Sequence, residues 1–299
     1  MVSVVIPVYN RASVVGRCLD SVLQQQECDF ELIVVDDASS NPAEAVYQRV
    51  RDRGHTVLVM EENSGPGYCR NRGAEVARGE WLSFLDSDDH WLPGKLSRHL
   101  EALSQSGLEI GQTSEIWYRD GQRVSPPKAH KISGGDLFKR SLKAVCVSSS
   151  TVMLRKELFQ QFGGFDEEMF VCEDYDLWLR IAAEKRFQHL DEELVVKYGG
   201  HEDQLSKALP AMDRYRILSI LKWLSCSVEG EQRRAARTEL LRKLRILGKG
   251  SAKRDRHRAV ELCRELTFCA EQGHWSEGLK LAHELNRCWP TRPDSPELA

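Results

Sequence analysis

A chain of 299 residues with a net charge of -3, 41% hydrophobic and 29% charged residues has an ordinary soluble globular composition with ample core. This balance calls for no nucleic-acid partner, and no uninterrupted apolar stretch is long enough to span a bilayer. The nine cysteines include no C-x-x-C pair, which favours a reducing, cytoplasmic setting over a disulfide framework; no basic leader precedes the first apolar run, so no signal peptide is expected.

Val2 to Val8 is a continuous apolar run rich in β-branched residues, the pattern of a strand covered on both faces. Val14 to Leu23 has helical spacing, and Phe30 to Val35 is a second buried-strand run stopped by Asp36-Asp37. A helix is predicted over Pro42 to Arg53, with proline near its first turn. A short strand over Val57 to Met60, a helix over Gly67 to Ala77, a strand over Trp81 to Leu85 and a helix over Pro93 to Ser104 follow. This alternation argues for an α/β fold with a mainly parallel, doubly wound sheet, whose ligands bind beyond the carboxyl ends of the strands. Asn10, Asp36, Asp37, Asn63 and Asp86 stand at four such ends, which suggests one shared site.

Beyond Gly107 the pattern changes. Ile116 to Tyr118 and Arg123-Val124 flank Asp120-Gly121, a hairpin signal. Thr151 to Leu154 reads as a strand, Lys156 to Phe162 as a short helix ended by Gly163-Gly164, Tyr175 to Ala183 as a helix and Leu194 to Tyr198 as a strand. Helices are predicted over Met212 to Leu224, Gln232 to Leu247, His257 to Glu271 and Ser276 to Asn286. The expected organisation is a domain over residues 1–206 and an all-helical region over residues 207–299. The segment from Gln232 to Arg264 is strongly basic; a solvated helical surface is the plain explanation, and peripheral contact with a membrane surface or an anionic partner is the functional one.

The sharpest chemical signal is Asp86-Ser87-Asp88-Asp89, at the end of a buried strand. Close carboxylates repel unless a cation or strong donors share the site, and oxygen-only surroundings suit Mg²⁺ or Mn²⁺. Alone, D-x-D-D is a weak motif that reads first as a turn and helix cap. Asp36-Asp37 repeats the placement after another strand, and Asn63-Ser64-Gly65-Pro66-Gly67 opens a helix carrying Arg70, where backbone can approach an anion. No G-x-G-x-x-G follows the first strand, which counts against a nicotinamide or flavin dinucleotide.

The stretches "VSVVIPVYNR", "ELIVVDDAS", "ENSGPGYCRNRGAEVARGEWLSFLDSDDHWLPGKL" and "GGFDEEMFVCEDYDLWLRI" together resemble, in order, the family 2 glycosyltransferases of the GT-A fold, over about Met1 to Ser206. The resemblance implies a metal-dependent, inverting transfer from a nucleotide-sugar donor, UDP-sugars foremost, to a hydroxyl of a glycan or lipid-linked acceptor, as in cell-surface polysaccharide synthesis. It implies that Pro7, Tyr9 and Asn10 line the nucleotide pocket, that Asp37, with Asp36, receives the base, and that Asn63 and Arg70 flank base, ribose or phosphates. Asp86 would hold the ribose and Asp88 the metal, with Asp89 sharing the ligation or supporting the loop. Of Glu173-Asp174, the resemblance makes Asp174 the base and Glu173 an orienting group; His201, in a glycine-flanked loop, would add a metal or diphosphate contact.

Two other classes bear weighing. A sugar-phosphate nucleotidyltransferase would need a glycine-rich basic loop after the first strand, which Arg11 alone does not supply. A non-catalytic sugar- or nucleotide-binding module is disfavoured by the presence of both acidic motifs.

Overall fold

The computed structural model describes residues 1–127, 130–200, 209–226 and 229–290. Among these, nine strands form a single sheet of order β3-β2-β1-β4-β8-β6-β9-β5, with β7 paired to β6. Its first half is parallel: β1 (Val2–Val8) lies between β2 (Phe30–Asp36) and β4 (Trp81–Phe84), and β3 (Thr56–Val59) adds to β2. Every residue of β1 is buried, as the unbroken apolar run requires. Val5, Ile33 and Val35 pack to one side with Cys69 and Ala74 of α3 (Pro66–Val76). Val4, Ile6, Leu32 and Val34 pack to the other with Cys18 and Leu19 of α1 (Val15–Leu23) and Tyr47 and Val50 of α2 (Glu44–Asp52). Helix α3 approaches the sheet at Gly73, where an added Cβ would stand 2.3 Å from Val5 Cγ1.

The second half is mixed. β8 (Val152–Arg155) runs antiparallel to both β4 and β6 (Ile110–Arg119). β9 (Gln188–Gly199) is parallel to β6 and antiparallel to the two-residue β5 (His90–Trp91). β7 (Gln122–Val124) returns on β6 through Asp120 and Gly121, whose φ values of 50° and 75° make the turn that Asp-Gly predicts. Helices α4 (Lys95–Ser106), α5 (Phe138–Ser141), α6 (Lys156–Gln161) and α7 (Glu173–Ala182) cover this half.

Among the described residues four helices follow: α8 (Asp213–Ser225), α9 (Gly230–Ala252), α10 (His257–Gln272) and α11 (Trp275–Asn286). They share one apolar cluster with α5 and α7, through Phe138, Leu142, Tyr175 and Leu179. The opposite flank of α7, Leu177, Trp178 and Ile181, belongs to the sheet's own core. Among the described residues no helix is long and apolar enough to cross a membrane.

Several elements extend beyond the apolar pattern. β6 starts at Ile110, not near Ile116, because Gln112, Thr113 and Glu115 are interior positions. β9 begins at Gln188 rather than Leu194, and α7 begins at Glu173, two residues earlier than the spacing predicts. Helix α9 runs to Ala252 rather than stopping at Leu247, and its last turn buries Ser251.

Candidate active site

The β4 loop divides its three aspartates between two tasks. Asp89 is buried: Ser150 Oγ donates to its Oδ2 at 2.6 Å, the Tyr198 N–H to its Oδ1 at 3.3 Å, and Lys197 Nζ lies 3.5 Å away. Burial pushes its pKa up to about 8 against the pull of Lys197. Ser150 Oγ also accepts from the Asp86 N–H at 3.2 Å, so this one hydroxyl pins the loop twice. Asp86 and Asp88 are only partly covered. Arg70 Nη2 donates to Asp86 Oδ1 at 2.7 Å; burial would raise the Asp86 pKa, but Arg70 and Lys197 hold it below its ordinary value. Arg17 fastens the Asp88 carbonyl at 2.9 Å, and Arg11 reaches within 3.9 Å of its carboxylate.

The second acidic pair opens α7. Cys172, at φ 62°, turns the chain sharply into the helix and sets Glu173 and Asp174 in its first turn. Arg70 Nη1 donates to Glu173 Oε1 at 2.7 Å, so one buried guanidinium joins the β4 loop to α7. Gly67 permits the approach: a Cβ there would meet Glu173 Cγ at 2.9 Å. Burial and the neighbouring Asp174 push Glu173 up to about 7 against Arg70, and burial raises Asp174 as well. Asp174 is partly exposed, and its Oδ1 accepts from the Tyr175 N–H.

The remaining strand ends form a rim. Pro7 is buried in β1, whereas Tyr9, just past it, is 38% exposed. Asn10, at φ 52°, accepts from the Ser40 N–H and Oγ and donates its N–H to Ser39 Oγ, which ties the first loop to the second. Asp36 faces the scaffold: Tyr47 OH donates to it at 2.5 Å and the Ser39 N–H at 2.7 Å. Burial and this bond raise the Tyr47 pKa. Asp37 clamps the loop after β3, accepting from the N–H groups of Ser64 and Gly65 at 2.8 Å each. Gly65 needs its freedom, with φ at 90° and Phe170 2.9 Å from where a Cβ would be. Asn63 is half-buried in the same loop. His201 lies outside the described residues.

Among the described residues no three His, Cys, Asp or Glu side chains converge as a metal cage. The donor on offer is instead the partly covered carboxylate of Asp88, an oxygen ligand of the kind that would suit a hard divalent ion, while Asp86 is paired with Arg70. Lys197, Ser150 and Arg17 were not legible as site residues. Lys197 reaches the acids only through a strand pairing that spans the second half of the fold.

The family model for glycosyl transferase family 2 matches residues 3–163. An uncharacterized glycosyltransferase of Rickettsia typhi is 29% identical over 231 residues, covering 73% of this chain and 70% of that protein. The "Putative teichuronic acid biosynthesis glycosyltransferase TuaG" of Bacillus subtilis is 32% identical over 161 residues, or 52% and 63% of the two chains. Among solved structures, S. aureus TarS 1-349 in complex with UDP superposes with a TM-score of 0.65 at 18% identity over 97% of this chain and 93% of that one. The mannosyltransferase PcManGT of Pyrobaculum calidifontis, in complex with GDP-Man and Mn2+, gives 0.57 at 17% identity over 96% and 86%. These two likenesses establish the GT-A-type fold.

Proposed function

This chain belongs to glycosyl transferase family 2, and from that premise we propose that it transfers a sugar, with inversion, from a nucleotide sugar to an acceptor hydroxyl. The observation that carries the reading is Arg70, which holds one acid of the β4 loop and one of α7 at 2.7 Å each across a single cleft. Inverting transfer needs that layout: charge handling for the leaving diphosphate on one side of the anomeric carbon and a proton acceptor on the other.

The acceptor oxygen attacks the anomeric carbon, its proton passes to Asp174, and the bond to the nucleoside diphosphate breaks. Burial keeps Asp174 a stronger base than a free aspartate. Glu173, fixed by Arg70, orients the sugar. Tyr9, Asn10 and Asn63 line the nucleoside pocket beside Pro7; each Asp37 oxygen keeps a lone pair for the base, while Asp36 secures the second loop. Asp86 receives the ribose, and Asp88 would hold Mn²⁺ or Mg²⁺, with Asp89 as support for the loop. When bound, the ion neutralises charge on the departing diphosphate.

The donor we assign is a UDP-sugar, consistent with the UDP and UDP-GlcNAc complexes of TarS. The acceptor is a glycan or lipid-linked saccharide of the cell surface, in keeping with the teichuronic acid relative. Residues 1–206 form the transferase domain, and the helices from residue 207 support it. The exposed cations Arg234, Arg237, Arg245, Lys249, Lys253 and Arg254 on and after α9 suit peripheral contact with an anionic membrane face from the cytoplasm. The test is a thermal-shift panel of nucleotide sugars with and without Mn²⁺. A UDP-sugar raises the melting temperature only with the ion, and Asp88→Asn removes that dependence; an unchanged ion-dependent shift in the variant would sink the metal assignment.

A further inference from the structure

The parallel pairing of β6 with β9 sets Glu115 opposite Val195 and Trp117 opposite Lys197. Cross-strand partners share a face, about 4.8 Å apart between strands. Lys197 looks into the acidic loop, with Nζ 3.5 Å from Asp89, 3.9 Å from Asp86 and 3.1 Å from Ser148 Oγ. Glu115 and Trp117 therefore stand on the cleft side of the sheet, one strand beyond the acids.

The two are joined. Trp117 Nε1 donates to Glu115 Oε1 at 2.6 Å, which fixes the indole plane. Glu115 is 91% buried, and its Oε2 has no hydrogen-bond partner among the described residues. A carboxylate oxygen buried without a donor is costly unless a ligand supplies one. Trp117 remains partly exposed, and its aromatic neighbour His130 meets it tilted at 44°, with ring centroids 6.3 Å apart, rather than stacked.

We propose that this face of β6 and β9 is a saccharide subsite, where a pyranose ring of the acceptor lies on the Trp117 indole and donates a hydroxyl hydrogen bond to Glu115 Oε2. The chemistry selects a neutral sugar. A free carboxylate oxygen repels an anionic one, and the ammonium of Lys197 is already shared among Asp89, Glu115 and Asp86. The inference rests on the glycosyltransferase reading, since it names the acceptor side of that same cleft.

The test titrates methyl β-glucopyranoside, methyl β-galactopyranoside and methyl N-acetyl-β-glucosaminide into the full chain with UDP and Mn²⁺, read by saturation-transfer NMR. At least one glycoside binds the wild type, about tenfold more weakly to Trp117→Ala, and Trp117→Phe restores binding. Glu115→Gln, which keeps the volume, weakens it as well. Equal binding to wild type and Trp117→Ala overturns the proposal, as does the absence of glycoside binding in a wild type that shows the UDP thermal shift. Loss of that shift in the wild type instead overturns the glycosyltransferase reading, and the subsite with it.

Discussion

Replacing Arg70 by methionine removes the one guanidinium shared by Asp86 and Glu173. Both contacts are 2.7 Å, and the arginine is 5% exposed. Removing one partner of a buried pair costs about 3–5 kcal/mol, because a charge is left in a site that cannot solvate it. Asp86 is nearly a third exposed and retains Lys197, so its share is screened; Glu173, at 7% exposure, carries most of the effect. We expect Arg70→Met to lose about 3 kcal/mol in urea unfolding at pH 8. The loss depends on pH in a defined direction. The Glu173 pKa already stands at about 7 in the fold, above the 4.5 of a free glutamate, and rises further without Arg70. The folded variant then binds a proton that the unfolded chain releases, so its stability falls as pH rises from about 4.5 through the folded pKa. The deficit is smaller at pH 6 than at pH 8, and Arg70→Met/Glu173→Gln recovers most of it. A deficit below about 1 kcal/mol, or one that the second substitution leaves untouched, refutes the linkage.

Three further outcomes are expected. Asp174→Asn keeps the nucleotide thermal shift but slows transfer by about 10²–10⁴-fold; wild-type turnover would remove it from the mechanism. Lys95 is wholly buried beside His99 Nδ1 at 3.0 Å, and burial pushes its pKa down to about 7 from 10.5. The unfolded chain keeps that proton above pH 7 while the fold sheds it, so stability rises with pH in this window. Lys95→Met should lower the gain between pH 7 and 9 by about 2–3 kcal/mol relative to wild type, and parallel pH profiles would contradict this. Gly73→Ala drives a methyl to 2.3 Å from Val5 Cγ1, so it should lower the urea midpoint by an amount equivalent to about 1–3 kcal/mol, despite a helix-propensity gain of about 1 kcal/mol. A stabilised variant would show that α3 can back away from the sheet.

The parallel half of the sheet was legible because each of its strands is a short apolar run closed by Asn or Asp, and local periodicity suffices for that. The Asp120-Gly121 hairpin was legible for the same reason, its turn chemistry being local. The mixed half hid its length. Gln112, Thr113 and Glu115 are polar in sequence yet interior in the fold, so β6 looked like a loop until residue 116. The division of labour among the aspartates was likewise invisible. Asp36 and Asp89 face inward only because Tyr47 and Ser150, 11 and 61 residues away, supply donors. Nor was it legible that the C-terminal helices share a core with α7, where Tyr175 and Leu179 bury themselves among side chains of α8 to α11.

That shared packing bears on how such enzymes can be recombined. Helix α7 is wedged between two interiors: Leu177, Trp178 and Ile181 on one flank, Tyr175 and Leu179 on the other. A chimera that grafts a relative's C-terminal helices onto this N-terminal half must therefore reproduce the socket for those two side chains, or the helix bearing Glu173 and Asp174 will shift in its seat. Tail swapping is accordingly limited to relatives whose first grafted helix presents matching apolar relief.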